Sequence, residues 1–200
     1  MKNSISAIVL KSFYHSAVSK ELKKRGFSKD IKHKINNEYN QIIKRAKDIG
    51  NSKLLSAYVM GMYFIAMNRA TNKTPEENYE IFKEGLLSSN LFHKVMGDAN
   101  SYLNPKKLPE RLKWAKESHK RKYENDWVVD VLCGNDEYEL GYDYKECGVV
   151  KLCKDEGCLE LARWLCKMDF VLADMMNMKL KRTMTLAEGF DHCDFRYSRK

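Results

Sequence analysis

Cysteine, histidine and acidic residues near the carboxyl end of the chain have side chains that could do chemistry. Cys193 stands between His192 and Asp194. A thiol beside an imidazole has its thiolate favoured, as a nucleophile requires, so we take Cys193 as the first candidate nucleophile and His192 as its activator. Successive residues of a strand point to opposite faces, and the two side chains would meet only at a bend. The alternative is that Cys193, Phe195 and Tyr197 form the buried face of a strand.

Cys166 and Asp169 are three residues apart in a segment of helical character, which places them on one helix face. Apolar residues follow Asp169 directly, and a carboxylate in such surroundings is costly without a partner. We therefore expect Asp169 to hold a cationic group of a substrate, with Cys166 beside it in the catalytic site. A small buried thiol beside a surface acid is the competing interpretation.

Arg182 is the candidate for binding a substrate carboxylate, because a planar guanidinium can grip a carboxylate with two hydrogen bonds. Thr183 and Thr185 would assist through their hydroxyl groups, and Arg196 is the substitute cation. A polar sheet face exposed to water would explain the same residues.

Glu146 and Cys147 stand where a predicted strand ends and a predicted helix begins. The first turn of a helix favours anions and lowers the pKa of a thiol. Cys147 is therefore the second candidate nucleophile, and both residues are assigned to the substrate site. Helix capping by Glu146 and packing of Cys147 is the alternative.

No cofactor is predicted, and a metal site remains open. The chain has six cysteines but no Cys-x-x-Cys pair, which argues against a zinc ribbon or finger. Cys147, Cys166 and Cys193, with Asp169 or His192, could still gather around a zinc or iron ion that leaves one position for water.

The front of the chain is predicted to be helical. Apolar residues at steps of three and four predict a helix over residues 31–49, with Ser28 as N-cap and Gly50 as stop. The same periodicity predicts a helix over residues 4–24. Thr74, followed by proline and two glutamates, predicts a capping box that opens a further helix.

The spacing of the apolar residues is no longer helical after about residue 125. Residues 127–133 and 139–144 predict a β-hairpin, residues 147–176 return to helical character, and residues 180–186 and 193–197 predict two closing strands. Segregated helices and strands predict an α+β fold, in which a helical run precedes an antiparallel sheet of about four strands with an inserted helical segment and helices on one face.

Length and composition fit one domain over residues 1–200, with residues 1–125 mainly helical and residues 126–200 forming the α+β part. The net charge of +9 is uneven, with 25 basic and 12 acidic residues up to residue 125. The basic residues are spread over several helices, so we do not expect a nucleic-acid partner. The longest apolar run, 54–67, is too short to cross a bilayer. Without an export signal, we expect a cytoplasmic protein with reduced thiols and no membrane partner.

Four spaced segments are similar to the carboxy-terminal signature of the L-2-amino-thiazoline-4-carboxylic acid hydrolase family. They are 144–157 (YKECGVVKLCKDEG), 166–169 (CKMD), 181–189 (KRTMTLAEG) and 193–196 (CDFR). The resemblance covers about residues 125–198, whereas the front half resembles the family only in length and helix content.

This resemblance implies hydrolytic opening of a cyclic isothiourea, 2-amino-thiazoline-4-carboxylate, to a carbamoyl-cysteine in cysteine metabolism. Such a reaction needs water or a protein nucleophile at the amidine-like carbon, a cation for the substrate carboxylate and an anion for the amidinium. We therefore expect a hydrolase of a small cyclic substrate, with Cys193 or Cys166 in the catalytic site. Asp169 would bind the cationic end of the substrate, and Arg182 would bind its carboxylate. A non-catalytic small-molecule binding domain on the same scaffold is the alternative.

Overall fold

A computed structural model describes residues 4–200 of the chain. Its helices precede and interrupt a single sheet. The helices are α1 (Ile5–Lys24), α2 (Asp30–Arg45), α3 (Leu55–Thr71), α4 (Pro75–Leu87), α5 (Asn90–Met96), α6 (Ala99–Tyr102), α7 (Leu108–Ser118), α8 (Gly148–Asp155) and α9 (Ala162–Met175). The strands are β1 (Val128–Cys133), β2 (Leu140–Glu146), β3 (Met178–Lys181) and β4 (Cys193–Arg199).

Local sequence signals explain where several of these elements begin. The Ser4 hydroxyl accepts a hydrogen bond from the Ala7 amide and caps α1. Thr74 and Glu77 form the expected capping box at α4. The N-cap prediction for Ser28 is wrong, because α2 starts one residue later than it would require and Lys29 occupies the N-cap without a side-chain bond.

The four strands form one antiparallel sheet in the order β1-β2-β4-β3. The predicted α+β fold is therefore confirmed, including the helical segment, α8 and α9, that separates β2 from β3. The first closing strand is shorter and earlier than predicted, at 178–181 instead of 180–186, because the chain leaves the sheet before Arg182. No helix in residues 4–200 is long and apolar enough to span a membrane.

The sheet has one apolar and one polar face. Cross-strand pairing aligns Tyr142 with Phe195, and both are buried under the helices. On the other face Asp130, Asp143 and Asp194 form a row across three strands. Two apolar clusters result, one among the helices and one between the apolar sheet face and α6, α7 and α9. The space between these clusters contains the candidate site.

Candidate active site

A cavity of about 340 Å³ lies between the helical cluster and the apolar face of the sheet. This volume is at the lower end of the range for small-molecule pockets. Most of its lining is apolar. Its polar lining residues are Tyr14, Lys53, Ser56, Tyr102, Tyr144, Cys147, Cys166, Asp169, Cys193 and Tyr197. Four residues singled out from the sequence, Cys147, Cys166, Asp169 and Cys193, therefore share one cavity.

Strands β2 and β4 and helices α8 and α9 bring these four side chains together. Antiparallel pairing sets Cys193 of β4 opposite Tyr144 of β2, on the apolar face of the sheet. Cys147 follows β2 directly and is the N-cap of α8. Helix α9 crosses the same region and presents Cys166 and Asp169 from one face.

Arg182 holds the carboxylate of Asp169. Its Nη1 donates to Asp169 Oδ2 over 2.5 Å, and its Nη2 donates to the main-chain oxygen of Cys166 over 2.9 Å. The guanidinium lies 4.8 Å from the ring centre of Phe170 and 4.9 Å from that of Phe195. Only 5% of the Arg182 side chain is exposed. Because Arg182 is engaged here and does not line the cavity, its geometry fits a positioning role and not the predicted contact with a substrate carboxylate.

Asp169 is the only acidic residue among those that line the cavity, which also lacks a histidine in its described lining. Burial raises the pKa of Asp169 from its ordinary value of 3.8 to about 6, although the charge and hydrogen bond of Arg182 act in the opposite direction. Its side chain retains 29% exposure, which we assign to the cavity that it lines. Within residues 4–200, Oδ1 has no hydrogen-bond partner. Asp169 therefore presents a free oxygen and changes charge near neutral pH, as a general base requires.

The three cavity thiols have the opposite electrostatic character. Burial raises the pKa of Cys193 to about 12, even though the Leu186 amide donates to its Sγ over 3.2 Å. Burial and the nearby Asp169 charge raise the pKa of Cys166 well above its usual range. The lowering expected for Cys147 at the start of α8 is not found, because burial outweighs the helix amides and raises its pKa. These thiols are therefore neutral at pH 7.

His192 does not meet Cys193. His192 directly precedes β4, and the side chains of consecutive residues there point to opposite faces of the sheet. The histidine therefore lies on the polar side. There its Nδ1 lies 2.6 Å from Asp191 Oδ1, and its Nε2 lies 4.0 Å from Asp143 Oδ2. The expected activation of the thiol by this imidazole is thus not met by the geometry.

Arg196, Thr183 and Thr185 also lie outside the cavity lining. Arg196 occupies the polar sheet face, with Nη1 2.8 Å from Asp143 Oδ1. The Thr183 hydroxyl donates to Asp194 over 2.7 Å. The Thr185 hydroxyl donates to Glu188 over 2.8 Å. Strand alternation places Arg196 on the side opposite the cavity, and the two threonines support the loop between β3 and β4.

Glu146 is engaged at the end of β2 and does not line the cavity. Arg121 Nε donates to one of its oxygens over 2.6 Å, and Lys151 Nζ donates to the other over 2.5 Å. The carboxylate therefore connects α8 to the segment after α7. Its carboxylate thus lies outside the cavity, held by two cationic side chains.

The cavity is also lined by Lys53, Tyr14 and Ser56, which the sequence did not single out. Lys53 lies just before α3, lines the cavity and pairs with Glu110 at the surface. Tyr14 Oη lies 2.7 Å from Ser56 Oγ, which joins α1 to α3 at the cavity wall. No local pattern marks these residues, because they reach the site only when the helical part packs on the sheet.

A metal-ligand set is not formed by the cavity residues. Within the described part of the chain, 4–200, no group of three or more His, Cys, Asp or Glu side chains is arranged to hold a metal ion. Cys147, Cys166, Cys193 and Asp169 share the cavity without converging on one point in this way.

An α+β scaffold that encloses an acidic residue in a small, mostly apolar cavity has the features of a small-molecule site. The L-2-amino-thiazoline-4-carboxylic acid hydrolase family matches residues 52–197, and the chain belongs to this family. The match extends further toward the amino terminus than the sequence segments indicated, and it includes every cavity residue except Tyr14. Searches among curated proteins and among solved structures gave no match.

Proposed function

We propose that the protein hydrolyses a small cyclic amidine such as 2-amino-thiazoline-4-carboxylate, with Asp169 as the general base. The observation that carries this proposal is the position of Asp169. Its carboxylate lines a cavity of small-molecule size, is held by Arg182 and has a pKa of about 6. Family membership supports the class of substrate.

The proposed reaction consumes only the substrate and one water molecule. Asp169 accepts a proton as water attacks the carbon that joins the ring sulfur to the two nitrogens, and a carbon–oxygen bond forms. The ring carbon–sulfur bond then breaks, because a thiolate leaves more readily than an amine. The added hydroxyl becomes the carbonyl oxygen and releases its proton to solvent, while the proton held by Asp169 passes to the departing sulfur. The amidinium substrate and water thus yield a carbamoyl-cysteine with a free thiol and a restored carboxylate.

The anionic form of Asp169 also suits the cationic end of the substrate. An amidinium beside the carboxylate is stabilised more strongly in an apolar cavity than in water. This favours binding of the ring with its amidine carbon toward Asp169. The neutral thiols of Cys147, Cys166 and Cys193 then serve as cavity walls, and we assign the proton transfer to the carboxylate in preference to a thiolate attack.

Lys53 is the proposed partner of the substrate carboxylate. It lines the cavity, and 47% of its side chain is exposed, so its ammonium can turn from Glu110 toward a bound anion. Arg182 is less suited to this role because its donors already engage Asp169 and the main chain of Cys166.

The test is incubation of the purified protein with 2-amino-thiazoline-4-carboxylate. Release of a thiol is followed with a disulfide dye in the absence of added reductant, and mass spectrometry identifies the product. We expect enzyme-dependent formation of a thiol with the mass of substrate plus water. A binding protein without activity would retain the compound unchanged, and this result would exclude the proposal.

A further inference from the structure

A second concavity lies between α1 and α2, apart from the candidate active site. It is an open groove of about 580 Å³, and none of its lining residues lines the cavity beside Asp169. The groove also lies outside residues 52–197, which match the family. The role proposed for the cavity beside Asp169 therefore does not account for this groove.

The groove is strongly cationic. Lys11, Lys20, Lys23 and Lys32 line it, and no acidic residue does so within the described chain. None of these four lysines forms an ion pair with any residue in 4–200. The only acid of α1, Glu21, is held by Lys24 and Arg25 instead. A concave cluster of one charge sign concentrates counter-ions, so this groove attracts anions.

The groove wall also carries buried polar atoms without partners. Ser19 is 6% exposed, and its hydroxyl forms no hydrogen bond within residues 4–200. Asn36 Oδ1 is likewise buried and unpaired there. Buried polar groups are rarely left unsatisfied, because their desolvation is costly. A ligand oxygen would accept from Ser19, and rotation of the Asn36 amide would direct its Nδ2 donors to the same ligand.

The spacing of the lysines indicates the size of the anion. Lys11 and Lys23 are twelve residues apart on one helix, which corresponds to about 18 Å along its axis. A single phosphate spans only part of this length, whereas a chain of phosphates can follow the groove. Lysine ammonium groups bind phosphate as point charges and need no bidentate geometry. We propose that the groove between α1 and α2 binds a soluble oligophosphate anion.

Calorimetric titration of the full chain with tripolyphosphate tests this proposal, with orthophosphate as the shorter probe. We expect tripolyphosphate to bind more tightly than orthophosphate, with an affinity that falls as salt rises. The double variant Lys23→Gln/Lys32→Gln should weaken binding by about tenfold or more, because two charge-assisted contacts are lost. Ser19→Ala should weaken it by about fivefold.

The matched control is Lys29→Gln/Lys34→Gln, which removes the same charge from exposed positions outside the groove. We expect its affinity to stay within about twofold of the wild type. An equal loss in both double variants would show that only net charge matters and would overturn the proposal. Retention on RNA, or on vesicles of phosphatidylcholine and phosphatidylserine, without binding of tripolyphosphate would also overturn it. Thermal unfolding of each variant checks that the fold is retained.

Discussion

Replacement of Arg182 by methionine should shift the pH dependence of turnover. The change keeps an unbranched apolar stem between Phe170 and Phe195 but removes the guanidinium whose Nη1 lies 2.5 Å from Asp169. A close opposite charge lowers the pKa of a carboxyl group by about 1 to 3 pH units. Since Arg182 is almost fully buried, solvent screens its charge little. The pKa of Asp169 should therefore rise by an amount in that range.

The expected loss of kcat/KM at pH 7 follows from the fraction of Asp169 that is ionised. With a pKa of about 6, roughly nine-tenths of the wild-type carboxyl is ionised at pH 7. In Arg182→Met this fraction falls to about one half or less. If Asp169 is the base, kcat/KM at pH 7 falls by about twofold to 100-fold and recovers as the pH is raised.

The assay is the pH profile of kcat/KM, together with a carbon NMR titration of the aspartate carboxyl groups. Arg196→Met is the matched control, because it removes a guanidinium that pairs with Asp143 on the other face of the same sheet. We expect its profile to match the wild type. The role given to Arg182 would be refuted if the acidic side of the kcat/KM profile did not move in folded Arg182→Met. It would also be refuted if that side of the profile moved equally in Arg196→Met.

Three further predictions concern the cavity. Cys193→Ala should retain turnover within about tenfold, because the thiol is neutral at pH 7; complete loss in a folded variant would favour covalent catalysis. Lys53→Met should raise KM by about tenfold with little change in kcat, as expected for lost substrate binding, and an unchanged KM would contradict its role. As the pH rises from 3 to 8, the free energy of unfolding of Asp169→Asn should increase by about 3 kcal/mol relative to that of the wild type, as measured by urea unfolding.

The wild type should lose stability relative to Asp169→Asn as the pH rises, because the pKa of Asp169 is raised in the folded state. The folded state favours the protonated carboxyl, since its pKa is about 6 in the fold against an ordinary 3.8. The contribution of Asp169 to stability is therefore complete below pH 3.8 and is lost as the pH rises through 6. The asparagine of the variant does not titrate, so a wild-type stability that follows the variant at every pH would contradict the raised pKa.

The order and type of the elements could be predicted because they depend on local patterns. Helical periodicity located α1, and the residues from Thr74 formed a complete capping box at α4. The second helix was located too, but α2 ends at Arg45, so the predicted extension to residue 49 with Gly50 as its stop is wrong. Boundaries were less secure where local and tertiary preferences compete. Ser28 has a good N-cap side chain, yet α2 begins at Asp30 with Lys29 in the cap position.

The candidate site was only partly predictable, because cross-strand pairing and helix packing assemble it. Cys166 and Asp169 could be placed on one face from their spacing alone. The pairing of Tyr144 with Cys193 brings distant segments together and sets the face on which each side chain lies. The same alternation separates His192 from Cys193. Lys53 could not be found, since its position at the cavity depends on how α3 packs.

The most direct test of the central claim compares turnover of 2-amino-thiazoline-4-carboxylate by the wild type, Asp169→Asn and Asp143→Asn. An asparagine in place of Asp169 still offers an oxygen to Arg182 but cannot accept the proton. Asp143 is the matched carboxylate, because it also pairs with an arginine but lies on the polar face of the sheet. We predict a loss of about 100-fold or more in kcat for Asp169→Asn and near wild-type turnover for Asp143→Asn. Full activity in Asp169→Asn would contradict the assignment of Asp169 as the base.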